Sequence, residues 1–202
     1  MSDFIDLQTV FPDTNSPLWQ VITSENETVL QVTDNLATTQ KTGTAAYPDE
    51  EHQGKVALIG PAKHNYRMQA EMRFFGHHHP RPRAGWFGFV IRAQDFLNFE
   101  IVWFMPNAET GNTAAYVPVA HGIVPWWSET YANQKKGSPH IPVDEWFRTR
   151  IDVSGDEFTA YVEEQPVFTK KITYYLKEGR PGFFVGTATD AGFRRITIED
   201  LP

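Results

Sequence analysis

The segment HGIVPWWSETY, residues 121–131, gathers the side chains with the most chemical potential in the chain. Trp126 and Trp127 are adjacent, and neighbours on a strand point to opposite faces, so at most one of them can enter a single core. In a loop, one or both stand exposed, which a soluble protein rarely tolerates without a use. Tryptophan rings stack on the apolar C–H faces of sugar rings, while His121, Glu129 and Tyr131 supply groups that hydrogen-bond hydroxyls. The alternative is structural: one tryptophan plugs the open end of a sandwich and the other covers a strand edge. Seen as catalysis, His121 is a base with Glu129 or Glu100 as the acid. That pairing suits proton abstraction beside a keto group, or glycosidic cleavage.

A second constellation comprises Arg92, Asn98, Glu100, Tyr116 and Arg148, expected together on the solvent face of one sheet. In GWFGFVIRAQDFLNFEIVWF, Phe87, Phe89 and Ile91 share a face, so Arg92 points away from them. After a turn at residues 93–96, Phe99, Ile101 and Trp103 form the expected core set, which leaves Asn98 and Glu100 opposite. A carboxylate flanked by arginines stays ionised, because nearby positive charge lowers its pKa. Such a group suits holding hydroxyls or a uronate better than donating a proton. The competing reading is a cross-strand ion-pair ladder of little energetic value. In the basic run HHHPRPR, only His77 and His79 would share a strand face and no third zinc ligand is evident, so it reads as a solvated hairpin loop.

The elements that must position these groups are short strands. NETVLQVT, KVALIG, YRMQAEMRFFG, GWFGFVIRA, FLNFEIVWFM, TAAYVPVAHG, WFRTRIDVSG, EFTAYVE, GRPGFFVGT and FRRITIED are rich in β-branched or aromatic residues and bounded by Gly, Pro, Asn or Asp. Their even spacing, without intervening amphipathic helices, predicts an antiparallel sandwich or barrel. Only SETYANQKK reads as a helical turn or two. In DVSGDEFTAYV, Ser154-Gly155-Asp156 is the turn of a hairpin whose first arm buries Ile151 and Val153 and turns Arg148, Arg150 and Asp152 outward. No repeat, low-complexity tract or linker interrupts the 202 residues, so residues 1–202 are read as one domain.

Composition narrows the partners. Aromatics make up 14% of the chain, an excess that favours half-buried pleated surfaces and leaves rings for binding. The net charge of −7 argues against nucleic acid, whose phosphates need a basic face. With no cysteine, disulfide and thiolate chemistry are excluded. The opening MSDFIDLQTVF has no basic–apolar leader pattern and no run is long enough to span a membrane, so the default expectation is a cytoplasmic protein with no membrane partner. A mature secreted chain with an added Met would read the same.

The succession GFVIRAQDFLNFEIVWF, AAYVPVAHGIVPW, DEWFRTRIDVSGDEFTAYV and GRPGFFVGTATDAGFRRITIE resembles the concanavalin A-like lectin/glucanase superfamily, over roughly residues 17–200. Within it, the chain looks most like bacterial laminin G-like and 3-keto-disaccharide hydrolase-like domains. The resemblance implies an all-β, antiparallel two-sheet jelly-roll sandwich whose concave face and rim loops hold a saccharide. The glutamate–aspartate–glutamate pattern of family 16 glucanases is missing, since the nearest strand, NFEIVWFMPN, has Glu100 alone. The superfamily also implies a structural Ca²⁺, for which Asp13 in FPDTNSP and Asp190 in TATDAGF offer hard oxygen ligands. The expectation is therefore a carbohydrate-recognising domain, with a glycoside hydrolase or lyase, or a non-catalytic subunit, as the alternatives.

Overall fold

Period-two burial organises the chain. In a computed structural model, which describes residues 4–24, 27–33, 54–77, 85–106, 112–123, 133–136, 140–171, 176–186 and 188–202, fourteen strands are present and no helix occurs among the described residues. In chain order they are β1 (Asp13–Thr14), β2 (Trp19–Ser24), β3 (Glu27–Val32), β4 (Lys55–Leu58) and β5 (Tyr66–His77). There follow β6 (Phe87–Ala93), β7 (Phe99–Met105), β8 (Thr113–Val119), β9 (Asn133–Lys136) and β10 (Phe147–Ser154). The last are β11 (Glu157–Val162), β12 (Gln165–Lys171), β13 (Arg180–Val185) and β14 (Thr189–Asp200). Residues 133–136, expected to be helical, pair instead with β8 as an edge strand.

The strands form two antiparallel sheets of seven, ordered β1-β4-β13-β6-β7-β8-β9 and β12-β11-β10-β5-β14-β3-β2. This is an antiparallel sandwich, as the strand pattern predicts, and the two-sheet jelly roll that the superfamily resemblance implies. Between the sheets lies a continuous core in which rings from facing strands meet. Phe183 of β13 stacks on Phe193 of β14 with centroids 4.2 Å apart, and Phe87 of β6 on Phe74 of β5 at 5.8 Å. Aromatic pairs at such separations add about 0.5–1.5 kcal/mol beyond their area burial.

The two sheets differ in what they present outward. In β5, Tyr66, Met68, Ala70, Met72 and Phe74 face the core, while Arg67, Gln69, Glu71, Arg73 and Phe75 face out. β10 repeats the pattern, and its hairpin with β11 turns at Gly155-Asp156, where Gly155 takes a φ of 57°. By contrast, β6, β7 and β8 are buried at every position, so both faces of the first sheet are dry there. Their near-continuous apolar sequences agree with burial on two sides. Phe99, Ile101, Trp103, Val117 and Phe184 form a second cluster, on the side of this sheet away from the inter-sheet core.

Candidate functional site

The expected solvent-face constellation is largely an interior one. Parity along β7 and β8 is as read: Glu100 and Tyr116 share a face opposite Phe99, Ile101 and Trp103. That face, however, looks into the inter-sheet core, and Glu100 is 0% exposed and Tyr116 3%. The Tyr116 hydroxyl donates to Glu100 Oε1 at 3.1 Å. Arg92 was expected to point to solvent and is 1% exposed. Its backbone is left-handed (φ 54°), and β6 carries one residue more than β13 between the Val90–Gly182 and Ala93–Arg180 pairs. This bulge breaks the two-residue period and turns the guanidinium inward. There Nη1 donates to Leu176 O at 3.0 Å and Nη2 donates to Gly155 O.

Burial raises the Glu100 carboxyl to about 7, although Arg92 and the Tyr116 hydroxyl pull it down. The nearby Tyr66 phenol is raised by the same burial. This cluster is a polar knot in the core, with no solvent-facing surface for a ligand.

Asn98 and His121 are brought together in a surface loop. Asp95 accepts from the backbone of Leu97 and Asn98 at 2.7 and 2.8 Å and from the Asn98 amide at 3.0 Å, and Asn98 Oδ1 accepts from His121 N at 3.1 Å. Burial alone would push Asp95 up, but these donors and the nearby His121 together hold it below its usual value. His121, at φ 52°, is exposed in the turn that follows β8. Trp126, Trp127, Glu129 and Tyr131 lie outside the described residues, as does His79.

The two acidic residues offered for calcium sit in different sheets. Asp13 Oδ2 accepts from Arg180 Nη1 at 2.5 Å. Asp190 belongs to β14, in the opposite sheet from β1. Among the described residues no group of three or more His, Asp or Glu side chains could hold a metal.

Arg148 stands where a ligand can reach it. The outward face of β10, β5 and β14 carries an open groove of about 450 Å³, lined among others by Gln69, Glu71, Arg148, Arg150, Arg195 and Glu199. Its charged groups are held in place by one another. Arg194 Nε and Arg195 Nη1 reach the two oxygens of Glu71 at 2.7 and 2.9 Å, and Arg195 Nη2 reaches Glu27 at 2.6 Å. Beyond the groove on the same outward face, Arg67 clamps Asp152 through two bonds of 2.7 and 2.8 Å. Arg150 donates to Glu164 at 2.8 Å and lies 3.7 Å over the Tyr161 ring. Arg148 pairs with Glu163 at 3.2 Å. Exposed pairs of this kind contribute little stability, but they present donors and acceptors in fixed directions.

Apart from Arg148, sequence reasoning did not single these residues out as a site. The signal was the polar set in YRMQAEMRFFG and FRRITIED, which alternates with the core residues and shows only that one face is wet.

No family model matches the chain, and no curated protein matches it in sequence. Solved structures do match its fold. The carbohydrate-binding module CBM66 from Bacillus subtilis aligns with a TM-score of 0.59 at 13% identity, covering 92% of this chain and 98% of that one. A functionally unknown protein from Saccharomyces cerevisiae aligns with a TM-score of 0.60 at 10% identity, covering 98% and 100%. Alginate lyase AlyC3 aligns with a TM-score of 0.54 at 8% identity, covering 93% and 80%. At such identities the likeness establishes the jelly-roll fold alone.

Proposed function

We propose that this protein is a carbohydrate-recognising module that holds a saccharide in the groove across β10, β5 and β14. The observation that carries the reading is the groove's construction: an open polar trough in which arginines and carboxylates are pre-paired. A sugar hydroxyl both donates and accepts, so it can bridge an Arg–Glu pair, donating a hydrogen bond to the carboxylate and accepting one from the guanidinium. Because the pairs are already ordered, less side-chain freedom is lost on binding. The fold likeness to a carbohydrate-binding module supports the reading, as does the resemblance to laminin G-like and 3-keto-disaccharide hydrolase-like domains. The loop with His121, Trp126, Trp127, Glu129 and Tyr131 belongs to the proposal as an aromatic platform at the sandwich rim.

A glycan array probed with the whole protein tests this, followed by affinity and melting measurements on Arg148→Ala, Trp126→Ala and Trp127→Ala. The expected result is selective binding, with weakened affinity and unchanged melting in Arg148→Ala and in at least one tryptophan variant. Binding to no glycan, or parental affinity in all three variants, overturns the proposal. Conversion of the bound glycan to products, lost in His121→Ala or Glu129→Gln, would replace the module with a glycoside-processing enzyme.

A further inference from the structure

A second depression, of about 390 Å³, adjoins the groove and is lined among others by Pro142, Glu145, Trp146, Glu163, Gln165 and Pro166. The two share a wall. Along β10 and the residue before it, Trp146 and Phe147 line the second depression, and Arg148, Thr149 and Arg150 line the first. In the β11–β12 turn, Glu163 lines the second and Glu164 the first. The partition is the Arg148–Glu163 pair, doubly tied at the backbone. Glu163 Oε1 accepts from Arg148 N at 2.7 Å, and Glu163 N donates to Arg148 O at 2.9 Å.

Three further observations bear on what crosses that wall. First, Glu163 and Glu164 hold φ values of 47° and 63°, a left-handed turn built from two residues that do not favour it. Asp144, beside the second depression, and Arg195, in the first, are also left-handed. Residues held in this region outside glycine cost of order 1–3 kcal/mol each and cluster at ligand clamps.

Second, Trp146 is pinned in place. The Arg194 guanidinium lies 4.3 Å from the centre of its ring and Phe75 meets it edge-on. Gly192 makes room for both rings, since a β-carbon there would come within 3.2 Å of Trp146 and 3.0 Å of Phe75.

Third, charge disfavours an anion. The first depression balances Arg148, Arg150 and Arg195 against Glu71, Glu164 and Glu199. The second adds Glu145 and Glu163 with no lysine or arginine in its lining. Glu163 is paired with Arg148, so an anionic sugar crossing both would find every arginine of the first depression matched by a carboxylate and would meet Glu145 in the second with no lysine or arginine lining it.

We infer that the two depressions are consecutive subsites for one uncharged oligosaccharide chain, which crosses the Arg148–Glu163 pair with one sugar unit in the groove and the next against Trp146. The inference rests on the saccharide reading above and adds to it the chain length and charge class. Each subsite contributes its own contacts, so affinity rises with the number of units until both are filled. The partition serves both units, because Glu163 accepts a hydroxyl hydrogen bond from the unit in the second depression while Arg148 donates to the unit in the groove.

The test is calorimetric titration of the whole protein with length series, one to six units, of neutral glucans, xylans and fructans and of oligogalacturonates. For a neutral series the expected affinity gain between one unit and three is about tenfold or more, roughly 1.4 kcal/mol per tenfold. It should be insensitive to salt between 50 mM and 500 mM, as screening affects only charged partners. Trp146→Ala and the exposed Gln165→Ala should lose most of that gain while keeping the single-unit affinity. Gln165→Ala serves as the variant that leaves packing intact should Trp146→Ala melt early. Equal affinity for one unit and for three, or a gain untouched in both variants, overturns the two-subsite inference while leaving the saccharide reading standing. Preference for the oligogalacturonates, with affinity falling in salt, overturns the charge class. Binding to none of the series overturns both readings.

Discussion

Glu100 offers a direct measure of how the core tolerates a carboxyl group. Its carboxyl is raised to about 7 from an ordinary 4.5, burial being the main cause, with Arg92 and the Tyr116 hydroxyl opposing it. At about 1.4 kcal/mol per pH unit, ionising this group costs about 3 kcal/mol more in the fold than in the unfolded chain. The direction follows from linkage. Below pH 4.5 the group is protonated in both states and its stabilising contribution is complete. Between 4.5 and 7 the unfolded chain releases the proton while the fold retains it, so stability falls as pH rises, and above about 7 the loss is constant. The perturbation is Glu100→Gln, which keeps the shape and a hydrogen bond to Tyr116 but cannot ionise. Urea denaturation of both proteins from pH 4.5 to 8 gives the assay. The parent-minus-variant difference cancels the other titrating groups and should drop by about 3 kcal/mol across that range. Any fixed offset reflects the lost charge beside Arg92 and is no part of the prediction. A difference that stays flat from pH 5 to 8 would refute the reasoning, and one that rises with pH would mean that Arg92 outweighs burial.

Two other outcomes follow from the same geometry. Arg92→Met should destabilise the fold by about 3 kcal/mol or more, because it removes the donors that satisfy Leu176 O and Gly155 O and leaves Glu100 buried without its cation; a denaturation midpoint within 0.5 kcal/mol of the parent would contradict this. Excess chelator should leave the melting temperature unchanged, since Asp13 is engaged by Arg180, and a drop of several degrees with metal recovered by elemental analysis would restore calcium to the account.

Fold class was legible because burial on one face writes a period of two into the chain. YRMQAEMRFFGH and FRTRIDVS alternate without exception through their central residues, and each of those residues took the face its parity assigned. The Ser154–Asp156 turn was legible for a similar local reason, as Gly155 supplies the positive φ that the hairpin needs. In β7, β8 and the first part of β6 parity still held, but it could not say which face was wet. When neighbours cover both sides of a sheet, apolar residues fill both and the pattern loses its sign. That is why Glu100 and Tyr116 read as solvent-facing and are interior. Arg92 failed for a different reason: a single extra residue in β6 resets the period, and its cause lies across the ladder at Arg180–Gly182.

The site shows the limit most clearly. The groove joins residues 69–71 of β5, 148–150 of β10, Glu164 of the β11–β12 turn and residues 195–199 of β14, segments separated by up to about 130 residues. Each segment announced a polar face by itself. Their assembly depends on β5 running between β10 and β14, and on registers such as Arg148 opposite Glu71 and Glu71 opposite Arg194. Strand order and register are set by packing across the whole sandwich, so local periodicity determined which side chains point outward, and only the tertiary structure decided which of them meet.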